Sequence, residues 1–208
     1  MGKFKKVMLY LGIIIVGTLV VLLLLGGTVN QTHHQYVESN WQPESNNTLQ
    51  TQARIQYTPL ETPNINSSFK SWMSYKAITN RNSKQYKFIG TWGWSDNEGF
   101  MRCSGERDLG IDQDYYLIAL GSYYGTQIGT KYRITLDTGR VFYGALADCK
   151  DNKHTNSTNQ YIPHNGNIVE FLVDTKRLNK NVKQMGSANV YMPLNGRIVK
   201  IERMDFIY

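Results

Sequence analysis

The sequence predicts an all-β domain, a small barrel or sandwich, preceded by one transmembrane helix. From Tyr86 onward the chain breaks into short apolar or alternating runs punctuated by Gly, Asp and Asn. Its 208 residues include 14 Tyr and 18 Gly against 5 Pro; 41% are hydrophobic, 12% aromatic and 19% charged. That composition excludes disordered, collagenous and coiled-coil chains. Ahead of the strands, Val7 to Leu25 is a 19-residue run without a charge.

As a helix that run reaches about 28 Å, the thickness of a bilayer's hydrocarbon core. Lys3, Lys5 and Lys6 stand on its N-terminal side, so residues 1–6 are expected as a cytoplasmic stub and the C-terminal part as extracytoplasmic. A cleaved signal peptide is the competing expectation. Its apolar region is usually about 7 to 15 residues, and Leu25-Gly26-Gly27-Thr28 is a poor small-x-small cleavage site. An uncleaved, single-pass anchor in the cell membrane is therefore expected, with the lipid bilayer as one partner.

Residues 26–84 are rich in Asn, Gln, Ser and Thr and are read as a polar stalk. His33 and His34 have no further ligand at metal spacing. Within the stalk, Ser71 to Ile78 has apolar residues at helical spacing and is expected as a short helix. Asn30, Asn46, Asn66 and Asn156 each begin an Asn-x-Ser/Thr sequon, a weak signal in a chain this rich in Asn.

Residues 85–208 form the expected extracytoplasmic domain. Its candidate strands are Lys87–Trp94, Phe100–Arg102, Tyr115–Leu120, Lys131–Leu136, Val141–Ala147, Ile168–Val173, Asn189–Met192 and Arg197–Met204. Asp137-Thr138-Gly139 reads as a tight hairpin and Pro193-Leu194-Asn195-Gly196 as another turn. Between them, Asp148 to Asn167 is a long polar excursion without apolar period.

Three segments carry a family resemblance: YYLIALGSYYGTQIGTKYRITLDTG, GALADCKDNKHT and NGNIVEFLVD. They resemble a double-psi β-barrel family of secreted or anchored proteins of Gram-positive bacteria and their mobile elements. More distantly, they are similar to the three-aspartate domain of wall-remodelling proteins and to the barrel of lytic transglycosylases. The resemblance covers about Gly99 to Thr175. It implies a small six-stranded double-psi-like β-barrel with extra strands, and peptidoglycan or another cell-wall glycan as partner. Two registers fit the three-aspartate pattern. One uses Asp137-Thr138-Gly139, Gly144 and Asp148; the other starts at Asp148 and sets Glu170 where the pattern ends in Asp. Asp148 is common to both.

Asp148 follows the apolar run Val141 to Ala147, at the mouth of a strand. A partly buried carboxyl there is suited to protonate a glycosidic oxygen. The resemblance to lytic transglycosylases implies that one acid suffices, because the sugar's own 6-hydroxyl closes on the anomeric carbon. The plainer alternative is a loop cap after a strand. Glu170 and Asp174 lie four apart in the same strand alternation as Ile168 and Leu172, so either acid is placed to tune Asp148 or bind a sugar hydroxyl. Lys150 and His154 follow Asp148 closely and are candidate substrate contacts. His154 and His164 lack partners at zinc-ligand spacing, so neither metal nor cofactor is expected.

Cys103 and Cys149 are the only cysteines. A bridge between them would close a 46-residue separation and contribute about 4 kcal/mol in the chain-entropy model; two free thiols are the alternative. Cys149 as a nucleophile with His154 is a third, without the flanking signature of a thiol hydrolase. Tyr123, Tyr124, Trp92 and Trp94 adjoin glycines, as on saccharide-stacking surfaces, although core packing also uses such rings. The net charge of +7 falls to +4 without the three N-terminal lysines, too diffuse for nucleic acid. Three functional classes follow: a lytic-transglycosylase-like enzyme centred on Asp148, a non-catalytic glycan-binding module, and a structural component of a surface or conjugation assembly.

Overall fold

The computed structural model describes residues 53–208. The expected stub, the run Val7 to Leu25 and the first part of the stalk lie outside the described residues. Among the described residues, no helix is long and apolar enough to cross a membrane.

The domain is predominantly β. Nine strands form one mixed sheet: β1 (Arg54–Leu60), β2 (Trp72–Ser74), β3 (Trp94–Ser95), β4 (Met101–Cys103), β5 (Tyr115–Leu120), β6 (Lys131–Leu136), β7 (Val141–Cys149), β8 (Glu170–Val173) and β9 (Ile198–Ile207). Two short α-helices accompany them, α1 (Lys84–Trp92) and α2 (Lys180–Met185). The hydrogen-bonded order is β1-β9-β6-β7-β5-β4-β3, with β8 pairing β5 and β2. The ladders β5·β7 and β2·β8 are parallel and the others antiparallel.

β5 is the centre of this arrangement. One edge lies along β7; the other pairs β4 through Tyr115 and Tyr116, and β8 through Ile118 and Ala119. Tyr116, Ile118 and Leu120 enter one apolar core, while Tyr115, Leu117 and Ala119 enter a second core on the opposite face. A strand covered on both faces reads as the unbroken apolar run YYLIAL rather than as an alternation. β6 alternates instead, burying Tyr132, Ile134 and Leu136 in the first core and leaving Lys131, Arg133 and Thr135 partly exposed. The first core is strongly aromatic, with Tyr116 edge-on to Phe100, Phe142 and Phe171 at centroid distances of 5.5, 6.0 and 5.3 Å.

Residues 137–140 turn β6 into β7. Gly139 has φ +79°, and Leu136 N donates to Arg140 O at 2.8 Å. Further along β7, the register with β5 runs Ile118↔Leu146 and then Ala119↔Asp148. Ala147 is therefore a bulge, which re-aims the residues after it.

Four sequence expectations are corrected. The stalk ends earlier than residue 84. β1 makes a seven-pair ladder with β9, from Arg54↔Ile207 to Leu60↔Ile201, and Ile55 and Tyr57 pack on the second core. Pro59 is tolerated there because β1 is an edge strand. The Ser67 hydroxyl, fully buried, donates to Ile198 O at 3.0 Å and accepts from Ile198 N at 2.9 Å.

Ser71 to Ile78 is not a helix: Trp72–Ser74 is β2, beside Phe171–Val173 of β8, and Tyr75–Ala77 is a single 3₁₀ turn. Lys87–Trp94, expected as a strand, is mostly α1. Ser83 caps it, its Oγ accepting from Tyr86 N, and Ile89 is buried on the second core. Asn189–Met192 is a pair of 3₁₀ turns, because Ser187 caps the first and Pro193 occupies the start of the second.

Candidate functional site

Ala119 on β5 has two carboxylate-bearing residues opposite it, Asp148 across the parallel ladder with β7 and Glu170 across the antiparallel ladder with β8. Residues directly opposite share a sheet face, so Asp148, Ala119 and Glu170 form a row on the face of the second core. Two strand spacings separate the acids, roughly 10 Å between backbone positions. The bulge at Ala147 makes this possible, since without it Asp148 would present to the other face.

Each acid has a neutral polar partner. Gln85 Nε2, in the first turn of α1, donates to Asp148 Oδ1 at 3.3 Å. Asp148 Oδ2 has no hydrogen-bond partner among the described residues. Glu170 Oε1 accepts from Ser71 Oγ at 2.9 Å. Ser71 Oγ in turn accepts from Asn167 Nδ2, and Ser71 N donates to Asn167 Oδ1 at 3.2 Å. Lys150 Nζ donates to Asn167 O at 3.3 Å. The Lys150 side chain is almost fully buried, and burial lowers its pKa to about 8 against the opposing pull of Glu170. Lys150 therefore belongs to a Lys150–Asn167–Ser71–Glu170 network beside the acids and is not an exposed substrate contact.

The remaining expected site residues are dispersed. Asp174 lies beyond β8, where its Oδ1 accepts from Lys176 N at 3.1 Å and its backbone oxygen receives Leu178 N at 2.9 Å. It is a turn cap and does not continue the row of Glu170. His154 is exposed in the 3₁₀ turn Asn152–His154, which Asp151 caps. Tyr123 is 41% exposed and Trp94 40% exposed, whereas Tyr124 is buried with its ring edge-on to Tyr123. Asp137 sits at the β6–β7 turn, bonded to Arg197 N at 2.9 Å and Arg197 Nε at 3.0 Å. Of the two three-aspartate registers, the one that uses Asp148 and Glu170 has its acids on one face.

Of the alternatives open for the two cysteines, the structure has two free thiols, Cys103 and Cys149. Cys103 stands opposite Tyr115 and Cys149 opposite Leu120, five residues apart along β5. That displacement is roughly 16 Å, far beyond the separation a bridge permits. Burial pushes the Cys149 thiol pKa up, and the neighbouring Asp148 charge adds to this. Nucleophilic catalysis requires the opposite shift. Among the described residues, no three His, Cys, Asp or Glu side chains are grouped to hold a metal.

No family model, curated protein or solved structure matches the chain.

Gln85, Ser71 and Asn167 escaped sequence analysis as site residues. Gln85 and Ser71 bordered or belonged to the expected stalk, and nothing local marks an amide on a helix that will lie over a strand 63 residues later. Asn167 lies within the NGNIVEFLVD segment, and nothing local marks its side chain as the partner of Ser71, whose hydroxyl bonds Glu170.

Proposed function

We propose that the chain is a membrane-anchored protein whose extracytoplasmic domain, a double-psi-like β-barrel, cleaves peptidoglycan strands in the manner of lytic transglycosylases, with Asp148 as the acid. The observation that carries this proposal is the row Asp148–Ala119–Glu170 on one sheet face, with an amide on Asp148 and a hydroxyl on Glu170.

In this mechanism Asp148 donates its proton to the glycosidic oxygen as the C–O bond breaks. The 6-hydroxyl oxygen of the same sugar bonds to the anomeric carbon, and its proton returns to the Asp148 carboxylate. Gln85 holds one oxygen of that carboxylate and leaves the other for substrate. Glu170, about 10 Å away across two strands, binds sugar hydroxyls or a positively charged stem-peptide group.

The deciding experiment incubates the full chain with purified peptidoglycan and measures soluble anhydro-sugar fragments. Asp148→Asn is expected to lower release by about 10²- to 10⁴-fold with unchanged folding. Absence of release by the wild type overturns the catalytic function. A glycan-binding module is the second function, favoured by the exposure of Trp92, Trp94 and Tyr123. In that case wild type sediments with the wall without cleaving it, and Trp94→Ala or Tyr123→Ala weakens sedimentation.

A further inference from the structure

Between Glu61 and Asp96 the chain has five basic residues, Lys70, Lys76, Arg81, Lys84 and Lys87, and no acidic one. Lys70 is fully buried. The other four are exposed, on the 3₁₀ turn after β2, the loop that follows it and α1, and none has an ion-pair partner among the described residues. This is a one-sign segment, and two of its four exposed cations, Lys76 and Arg81, line a concavity.

That concavity has a volume of about 480 Å³ and lies between the 3₁₀ turn and α1. Tyr75, Lys76, Arg81 and Tyr86 line it, with Ile89 and Gly90 among the helical residues of its wall, and no carboxylate takes part. Gly90 has open space where a side chain would stand, so it keeps the helix wall low. Tyr86 is 39% exposed and Trp92, two residues beyond Gly90, is 62% exposed. Aromatic rings, two cations without a carboxylate partner, one of them Lys76 with its Nζ 5.7 Å from the Tyr75 ring centroid, and a cavity in the size range of small-ligand sites occur together here. Rings of this kind stack on sugars, and unpaired Lys and Arg side chains attract carboxylate or phosphate.

We propose that this pocket binds an anionic saccharide unit of the cell wall, a sugar ring resting against Tyr75 and Tyr86 while its carboxylate or phosphate is held by Lys76 and Arg81. The wall as source rests on the function proposed above; the pocket's preference for an anionic sugar rests on its own lining. Gln85 links the two places, because it reaches Asp148 from the same helical turn that supplies Tyr86. An anionic group bound here would hold a glycan strand beside the acid of β7.

The test uses the full chain in an uncharged detergent and titrates three probes by calorimetry: a hyaluronan tetrasaccharide for carboxylate, a glycerol-phosphate oligomer for phosphate, and neutral chitotetraose. At least one acidic probe is expected to bind ten-fold or more tightly than chitotetraose, and the stronger of the two identifies the anionic group. Lys76→Gln/Arg81→Gln should weaken that binding at least ten-fold, and Tyr86→Ala should weaken it with the charges intact. Arg140→Gln/Lys200→Gln, which removes equal charge at the β6–β7 hairpin and on β9, should leave it unchanged.

Equal loss in that control overturns the site in favour of diffuse attraction. So does equal binding of chitotetraose, or failure of both acidic probes. Displacement of the saccharide by phosphatidylglycerol in mixed micelles, at concentrations where phosphatidylcholine has no effect, would assign the pocket to a lipid headgroup and overturn the saccharide. Asp148→Asn should bind as wild type does, so loss of cleavage and loss of this site are separately visible.

Discussion

Gln85 and Asp148 are 63 residues apart in sequence, yet the Gln85 amide donates to the Asp148 carboxylate at 3.3 Å across the space between α1 and β7. The contact ties the helix to the candidate acid. Gln85→Glu would place a second carboxylate beside Asp148, turning the hydrogen bond into a like-charge repulsion. The urea midpoint at pH 7 should then fall below that of the wild type, and adding Asp148→Asn should recover most of the loss. Simple additivity of the two substitutions would show that the two side chains are not in contact in solution.

Two buried lysines make stability depend on pH. Burial lowers the pKa of both Lys70 and Lys150 from 10.5 to about 8, with Asp137 and Glu170 respectively opposing the shift. The unfolded chain therefore binds these protons more tightly than the folded chain. Their cost is fully present below pH 8 and disappears as pH rises towards 10.5. Cys103, Cys149, Tyr124 and Tyr132, whose pKa values burial raises, act in the opposite direction once unfolded thiols ionise near pH 8.5 and unfolded tyrosines near pH 10. Urea midpoints should thus rise between pH 7.5 and 8.5 and fall above about 10. Lys70→Met should flatten the rise, and a wild-type midpoint that falls over that interval would contradict this account.

Gly144 on β7 faces Ile118 on β5, and a Cβ at that position would overlap the Ile118 Cδ1 methyl group. Ile118 is fully buried in the first core, with little room to move. Gly144→Ala should destabilise the domain by about 1 to 3 kcal/mol. Adding Ile118→Val, which removes the offending methyl, should recover part of that loss. Simple additivity of the two in denaturant titrations would show that the contact is absent.

The free thiols are directly countable. Denatured, unreduced protein should titrate two thiols per chain, and the native protein should react more slowly because burial raises both pKa values. A count of zero would require Cys103 and Cys149 to move together over roughly 16 Å along β5.

The N-terminal limit of the domain is testable by truncation. A chain starting at Ala53 keeps β1 and the buried Ser67 and Lys70 contacts, and should melt cooperatively. Starting at Lys84 removes the seven-pair ladder with β9 and the Ser67 bonds to Ile198. It also removes the Lys70 ammonium, which donates to Ser68 O at 3.1 Å, to Asn189 Oδ1 at 3.3 Å and to Gly196 O. That shorter chain should lack a cooperative transition in circular dichroism.

What the sequence by itself determined was the β character of residues 115–149, because the information there is local. YYLIAL is apolar throughout, KYRITL alternates, and Asp137-Thr138-Gly139 supplies the positive φ of the turn between β6 and β7. Asp148 was visible as an acid after a strand. Only the tertiary structure decided which way it faces, because the Ala147 bulge exists in the pairing of β7 with β5 and has no signature within β7 alone. The same holds for α1, whose KFIGTW segment imitates a strand until Ser83 caps it and Ile89 finds the second core. β1 is a further case: RIQYTPL is nearly featureless, and its strand conformation is selected by β9, about 140 residues later. Local propensity is worth tenths of a kcal/mol per residue, whereas a ladder and a buried face contribute several kcal/mol together. Partners distant in sequence therefore settled the edges of the sheet and the surroundings of Asp148.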